Sequence, residues 1–450
     1  MRLRRRGKHI PCQTCFHPFS PGKPPPSTQN LYKIRHRLDR KRKTKTQHHR
    51  ERQECSKKRD LGFEKQPSAV ILSYIRFPHP ISRQRTPHRI MVCPAQKKTS
   101  LDFFAGSGLV SFALADYFTT VWANDICKKK ADVFNANHSE RLLSLGSIEN
   151  VSGTALPSVT LSWGSFPCQD LSLAGNMNGL YGARSGLFWQ WIRVMDELPA
   201  KPPIAVAENV VGLVSSANGD NYRQVHQALV KRGYHVGAIM LDAVHWLPQS
   251  RKRIFVIAVD KKYDISSFSS NGPLWCHSQA IRRIAPTVND WVWWKLPFPP
   301  MKSSKLESIV DFDAPCDSDE KRDYLLSLIP EKHIKAVHLA AQNGRHVFPA
   351  YKRTRYGKQV LELRFDGIAG CLRTPEGGSS RQILVITENG KVKTRLLTVR
   401  ETARLMGAPD DYKLPGSYND GYKAMGDAVA VPVVHFLAEN LLSPIASQIY

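Results

Sequence analysis

Between Ser100 and Asp125 the sequence runs in a strict order: short apolar strand, glycine turn, apolar helix, second strand, acid. Few folds accept that order. Ser100 to Phe104 reads as the first strand and Gly106-x-Gly108 as the turn. Glycine lets the backbone approach a ligand closely, and the following helix, Leu109 to about Phe118, offers its positive amino-terminal end at the same place. The strand Thr120 to Ala123 then ends in Asn124-Asp125, where a carboxylate can accept hydrogen bonds from ribose hydroxyls. A Gly-x-Gly alone carries little weight, but the whole unit is the signature of an α/β sheet that holds an adenosine-type cofactor. The competing reading of Asp125 is a cap for the helix Cys127 to Asn137.

The alternation continues downstream. A strand from Ser158 to Trp163 feeds Gly164-Ser165-Phe166-Pro167-Cys168-Gln169-Asp170, so a lone Cys stands at the carboxyl end of a strand, where such sheets bind their ligands. Cys suits attack on a carbon electrophile because part of it is already thiolate at neutral pH. The competing reading is a buried small hydrophobe. After the helix Leu187 to Leu198, the strand Ile204 to Ala207 runs into Glu208-Asn209-Val210. A buried, unpaired carboxyl is costly, so Glu208 must be paired, protonated or functional. With its pKa raised by burial it could donate a proton near neutral pH. The helix Tyr222 to Arg232 and the strand Tyr234 to Leu241 follow. Arg251 and Arg253 then alternate at the start of the strand Ile254 to Val259, which points both to one face. Two planar cations on one face suit a carbonyl oxygen or phosphate, unless they are simply a solvated strand end.

Charge divides the chain. Residues 1 to 90 hold 24 Lys and Arg against 5 Asp and Glu, so most of the net +27 lies there and the remainder is mildly basic. Residues 1–97 have charge and breakers without periodicity and read as a basic, low-order tail. Three readings of it stay open. Cys12 and Cys15 with His17, His48, His49 and Cys55 could make a zinc site, though the second half lacks the spacing. The positive charge could add nonspecific DNA affinity. Translation could instead start at Met91, leaving the tail without a role. No uninterrupted run of eighteen apolar residues appears, and the amino terminus lacks the apolar segment of a secretory signal. Nine cysteines form no disulfide framework, which fits a reducing, cytoplasmic setting.

Taken together, Asp102-Phe103-Phe104-Ala105-Gly106-Ser107-Gly108, Pro167-Cys168-Gln169, Glu208-Asn209-Val210 and Gln249-Ser250-Arg251-Lys252-Arg253 make residues 98 to 443 resemble the carbon-5 cytosine-specific DNA methyltransferases of bacterial restriction-modification systems. The resemblance implies an α/β fold, a doubly wound Rossmann-like methyltransferase core with a smaller inserted target-recognition domain. It implies S-adenosyl-L-methionine as cofactor and no metal. Cys168, beside Pro167, would attack carbon 6 of a flipped-out cytosine, Glu208 would serve its nitrogen 3, and Arg251 and Arg253 would bind it. Phe104 would lie against the cofactor, Gly106 and Gly108 beneath its methionine end and Asp125 on its ribose, with Ile148, Leu187, Asp427 and Val429 completing the pocket. Gln169, Ser172 and Arg184, in the loop after the Cys, would contact DNA.

Two positions depart from the family. Ser147 stands where an Asp usually meets the adenine amino group, and Asp427 stands where Asn is usual. The expected divisions are 98–260 for the catalytic and cofactor-binding core, 261–395 for target recognition and 396–450 for a C-terminal segment that completes the core. Gly426-Asp427-Ala428-Val429 is expected to open the last helix, reaching about Leu442. The tryptophans at 275, 291, 293 and 294 read as core of the second unit more than as stacking platforms. The implied partner is double-stranded DNA, acted on by a cytoplasmic, nucleoid-associated monomer with no membrane contact, with or without a cognate restriction endonuclease. A catalytically silent DNA-binding relative, and an RNA cytosine methyltransferase, are the competing functions.

Overall fold

The computed structural model describes residues 98–167, 186–299, 305–373 and 381–449. Seven strands form the main sheet: β1 Thr99–Phe103, β2 Thr119–Asp125, β3 Leu143–Leu145, β4 Leu161–Gly164, β5 Ile204–Val210, β6 Tyr234–Asp242 and β7 Lys252–Asp260. Their order is β3-β2-β1-β4-β5-β7-β6. β3, β2, β1, β4 and β5 pair in parallel, and β7 lies antiparallel between β5 and β6. Connection length explains the difference. Parallel neighbours need a crossover, here supplied by helices such as Leu109–Leu114 and Lys128–Asn137, whereas β6 reaches β7 through a short connection that must turn back.

Burial on both faces explains the apolar runs. Alternate residues of one strand enter opposite cores: Ile204 and Val206 of β5 lie in one with Phe255, Ile257 and Val259, while Ala205 and Ala207 lie in the other with Ile254, Val256 and Ala258. Helices Leu187–Glu197 and Asp220–Val230 cover the second face. The C-terminal helices cover the first, and Lys98 Nζ ties their end to the start of β1 by donating to the Ser443 carbonyl at 2.9 Å.

The stretch that follows β7 lies against this sheet instead of joining the second one. β8 Ser269–Ser270 and β9 Trp293–Trp294 pair with each other, Val292 N donates to the Val236 carbonyl, and Trp294 Nε1 donates to the Ile257 carbonyl at 3.2 Å. Trp294 is fully buried there, with Trp291 and Trp293 packed beside the core. The separate unit is a four-stranded antiparallel sheet, β10 His346–Arg355, β11 Lys358–Leu363, β12 Ile383–Glu388 and β13 Lys391–Leu396, in the order β11-β10-β12-β13. Helices Asp319–Ser327 and Glu331–Gln342 accompany it, and its core includes Leu325, Val337, Leu361 and Val385.

The C-terminal helix differs from expectation. Asp427 ends the helix Tyr418–Asp427, Ala428 is extended, and a new helix begins at Val431. Pro432 accounts for the break: in a continued helix it could not donate to the Ala428 carbonyl and its ring would clash with it, whereas it suits the first turn of a fresh helix. Ala438–Leu442 then widens into a π-helical turn. The run Tyr418–Ser447 is long and apolar enough to cross a membrane by length and composition, but 56% of its most apolar window is buried inside the molecule, as in a core helix.

Candidate active site and cofactor pocket

The turn after β1 packs three left-handed residues into five positions: Phe104 at φ 59°, Gly106 at 57° and Gly108 at 83°. Phe104 is the exception to the preference for glycine, a strain held in place by its surroundings. A Cβ on Gly108 would fall 2.6 Å from His138 Nε2 and 2.8 Å from Phe134 Cδ2. Gly108→Ala is therefore expected to cost roughly 2 kcal/mol or more, from the left-handed backbone and the overlap together, read as a lower urea midpoint with unchanged slope.

Asp125 holds this turn from the side. Its Oδ2 accepts from Gly106 N at 2.9 Å and its Oδ1 from Cys127 N at 2.7 Å. The carboxylate thus braces the glycine turn and the start of the next helix, and the residue is 8% exposed. Ser147 accepts from Glu149 N and caps the short turn Ile148–Asn150. Ile148 and Val429 point into the core at 2% and 3% exposure, and Leu187 is half-buried at the start of its helix.

Two features suit the surface beside this turn to an adenosine-type ligand. Among the described residues, chain neighbours aside, the nearest atom to where a Gly106 Cβ would be is 3.9 Å away, and none lies within 4 Å at Gly146. Ile126, directly after Asp125, is 71% exposed, an apolar side chain free to cover a flat ring. Among the described residues Asp102 Oδ1 is buried without a donor, while Oδ2 accepts from Ser111 Oγ at 2.7 Å. Burial pushes the Asp102 carboxyl up to about 7.

The candidate reactive residues follow the carboxyl ends of β4 and β5. Cys168, Gln169, Ser172 and Arg184 lie outside the described residues. Pro167 is the last described residue before them. The segment leading up to them is anchored, because Asn209 Nδ2 donates to the Phe166 carbonyl at 3.1 Å and Phe166 packs on Phe188 with ring centroids 5.3 Å apart. Beside it Glu208, 6% exposed, pairs through Oε1 with Arg253 Nε at 3.1 Å. Burial raises the Glu208 pKa, and Arg253, Arg251 and a Ser165 hydrogen bond only partly offset that.

Arg251 and Arg253 have different surroundings. Arg251 precedes β7 and is 1% exposed; it donates through Nη1 to the Leu372 carbonyl at 3.0 Å and through Nη2 to those of Gly426 and Ala428 at 2.9 and 2.6 Å. It thereby clamps the second unit and the C-terminal segment onto the sheet. Gln249 helps, donating to the Leu405 carbonyl and accepting from Leu372 N. Cys371 sits in the same cluster, its Sγ 3.3 Å from Arg251 Nη1. Burial would raise that thiol, but Arg251 and Arg253 outweigh it and lower its pKa.

Sequence reasoning gave no role to Ile126, Ser165 and Cys371. An isolated apolar residue beside an acid was the available signal for Ile126. The others carry no local pattern, since their neighbours come from distant segments.

A doubly wound sheet of this order, with a glycine turn after its first strand and a buried acid at the end of its fifth, defines a Rossmann-like methyltransferase. Residues 99–443 match the family model for C-5 cytosine-specific DNA methylase; the chain belongs to that family and is a DNA (cytosine-5-)-methyltransferase. It is similar to the type II methyltransferase M.HhaI of Haemophilus parahaemolyticus, 27% identical over 356 residues that cover 78% of this chain and 96% of that protein. It is also similar to M.Bsp6I of Bacillus sp. (strain RFL6), 26% identical over 346 residues, 75% of this chain and 96% of that protein. Two solved structures share the fold. Entamoeba histolytica methyltransferase EhMeth has a TM-score of 0.52 at 15% identity, covering 76% of this chain and 97% of that one. A Spodoptera frugiperda DNMT2 mutant has a TM-score of 0.51 at 19% identity, covering 76% and 99%.

Proposed function

We propose that the chain methylates carbon 5 of cytosine within a specific double-stranded DNA sequence, through a covalent adduct of Cys168 with a base turned out of the duplex. The observation that carries this reading is the buried Glu208–Arg253 pair at 3.1 Å, beside the anchored segment leading up to Cys168. Carbon 6 of cytosine is a poor electrophile until nitrogen 3 receives a proton. Glu208 gives that proton as the Cys168 thiolate forms its bond to carbon 6, and Arg253 holds the base's carbonyl oxygen. Carbon 5 becomes nucleophilic. S-adenosylmethionine, when bound, supplies the electrophilic methyl group. Loss of the carbon 5 proton to solvent then expels the thiolate, and nitrogen 3 hands its proton back to Glu208, which restores the ring and the acid; the route divides one hard step into easier ones. Taking the base out of the stack costs a few kcal/mol, offset by contacts in the pocket and from the loop bearing Gln169, Ser172 and Arg184.

Phe104, Gly106 and the Asp125-braced turn would hold the cofactor, with Ile126 covering its adenine. DNA reading falls to the four-stranded unit. Its β10–β11 hairpin carries Lys352, Arg353, Arg355 and Lys358 around a fully exposed Tyr356, charges and a ring suited to phosphates and bases. The type II names of the relatives are the ground for expecting a cognate restriction endonuclease. The enzyme is taken to act as a cytoplasmic monomer.

Radiolabelled methyl transfer to unmethylated DNA, followed by bisulfite sequencing, tests the reading. Label confined to cytosines in one short motif is expected; label on adenine, or none from folded protein across many DNAs, would overturn it. Glu208→Gln should lower kcat by about 10²- to 10⁴-fold, because an amide cannot hand over a proton. The sign of the pH effect follows from the raised pKa. The wild-type carboxyl keeps its proton to higher pH than a free Glu, so activity that needs the acid form falls as pH rises through that raised value. The residual activity of Glu208→Gln should lack this fall.

A further inference from the structure

Lys130 is a residue that neither the motifs nor the catalytic scheme uses. Its stem crosses the glycine turn, with Cδ 3.9 Å from where a Cβ of Gly106 would stand. Its Nζ lies 2.5 Å from Asp427 Oδ2, linking the helix Lys128–Asn137 to the end of the helix Tyr418–Asp427. Neither partner is sealed away: the Lys130 side chain is 21% exposed and that of Asp427 42%. Asp125, which braces the same turn through Gly106 N, also acts on Lys130. Burial alone would lower the lysine's pKa, but Asp427 and Asp125 outweigh it and hold it above the ordinary value. The group is therefore a fixed ammonium beside the glycine turn.

The methionine end of S-adenosylmethionine carries an ammonium and a carboxylate. Asp125 and Asp427 make this side of the turn acidic, which welcomes the ammonium and the sulfonium but repels the carboxylate. An ammonium has three donors, and Asp427 takes one. The geometry points to Lys130 as the receptor of the cofactor's α-carboxylate, held in position over Gly106 by Asp427. This rests on the cofactor reading above. It also gives a reason for an acid at 427, where the resembled family has Asn: here the residue anchors a lysine.

The test is calorimetric binding to the full-length chain, without DNA or turnover, of two ligands: S-adenosylmethionine and its decarboxylated analogue. Wild type should prefer the carboxylate-bearing ligand by about 10- to 100-fold, the effect of one hydrogen bond between charged groups. Lys130→Met should lose or invert that preference, and Lys130→Arg should keep most of it. Equal weakening of both ligands by Lys130→Met would assign Lys130 a structural role and overturn the inference, as would an intact preference. Should Lys130→Met fail to fold, the absence of a preference in wild type or in Lys130→Arg would overturn it equally. Wild-type protein that binds neither ligand would instead sink the cofactor reading itself.

Discussion

Cys168→Ala is expected to lower methyl transfer to DNA by roughly four orders of magnitude or more, with binding of S-adenosylmethionine unchanged within about twofold. Without the thiolate, carbon 6 has no partner and carbon 5 never becomes nucleophilic. Glu208 and Arg253 can still polarise the base, but polarisation alone does not replace a covalent bond. Cofactor binding should survive because the glycine turn and Asp125 belong to β1 and β2, on the far side of β4 from Glu208. Single-turnover transfer and calorimetry measure the two quantities separately. Substantial turnover by the variant would rule out the covalent route; lost cofactor binding would mean that the Cys168 loop also shapes the other pocket.

Glu401→Ala is expected to destabilise the fold by about 3–5 kcal/mol. Glu401 is fully buried and Arg395 3% exposed, joined by two contacts, Nη2 to Oε1 at 2.5 Å and Nη1 to Oε2 at 2.7 Å. The carboxylate also accepts from Asp311 N and Thr398 N, and its own backbone N–H bonds the Thr398 hydroxyl, forming a capping box for the helix Val399–Leu405. Arg395 Nη2 reaches the Asp311 carbonyl as well. Removing the carboxylate strands a buried guanidinium and leaves two backbone amides unpaired, which explains a cost far above that of a surface pair. Denaturant unfolding gives the number. The double replacement Arg395→Met with Glu401→Leu should recover only the part of the loss due to the buried charge, since the Asp311 and Thr398 amides stay unpaired. A cost below about 1 kcal/mol for Glu401→Ala would mean that water reaches the pair.

The family and the sheet were legible in the sequence because the signals are local. A strand followed by Gly106-x-Gly108 constrains backbone dihedrals within a few residues, and runs such as Ile204 to Ala207 report burial on both faces directly. Where long-range geometry intervened, the reading slipped. Nothing near Lys261 announces that the following segment will lay Val292 and Trp294 along β6 and β7, since those partners are distant in sequence. The last helix begins at Val431 and not at Gly426, because Pro432 cannot continue the preceding helix and suits the first turn of a new one.

By itself the sequence determined the class of sheet, the glycine turn and the residues able to do chemistry, because propensity, periodicity and side-chain type are properties of short stretches. Only the tertiary structure decided how like residues divide their work. Arg251 and Arg253 are two positions apart, yet one is buried against the Leu372, Gly426 and Ala428 carbonyls and the other faces Glu208. Asp125 is committed to the backbone amides of Gly106 and Cys127, and Asp427 to Lys130, some 300 residues away. A charge takes its role from the charges and dipoles within a few ångströms of it, and those neighbours are assembled by the fold.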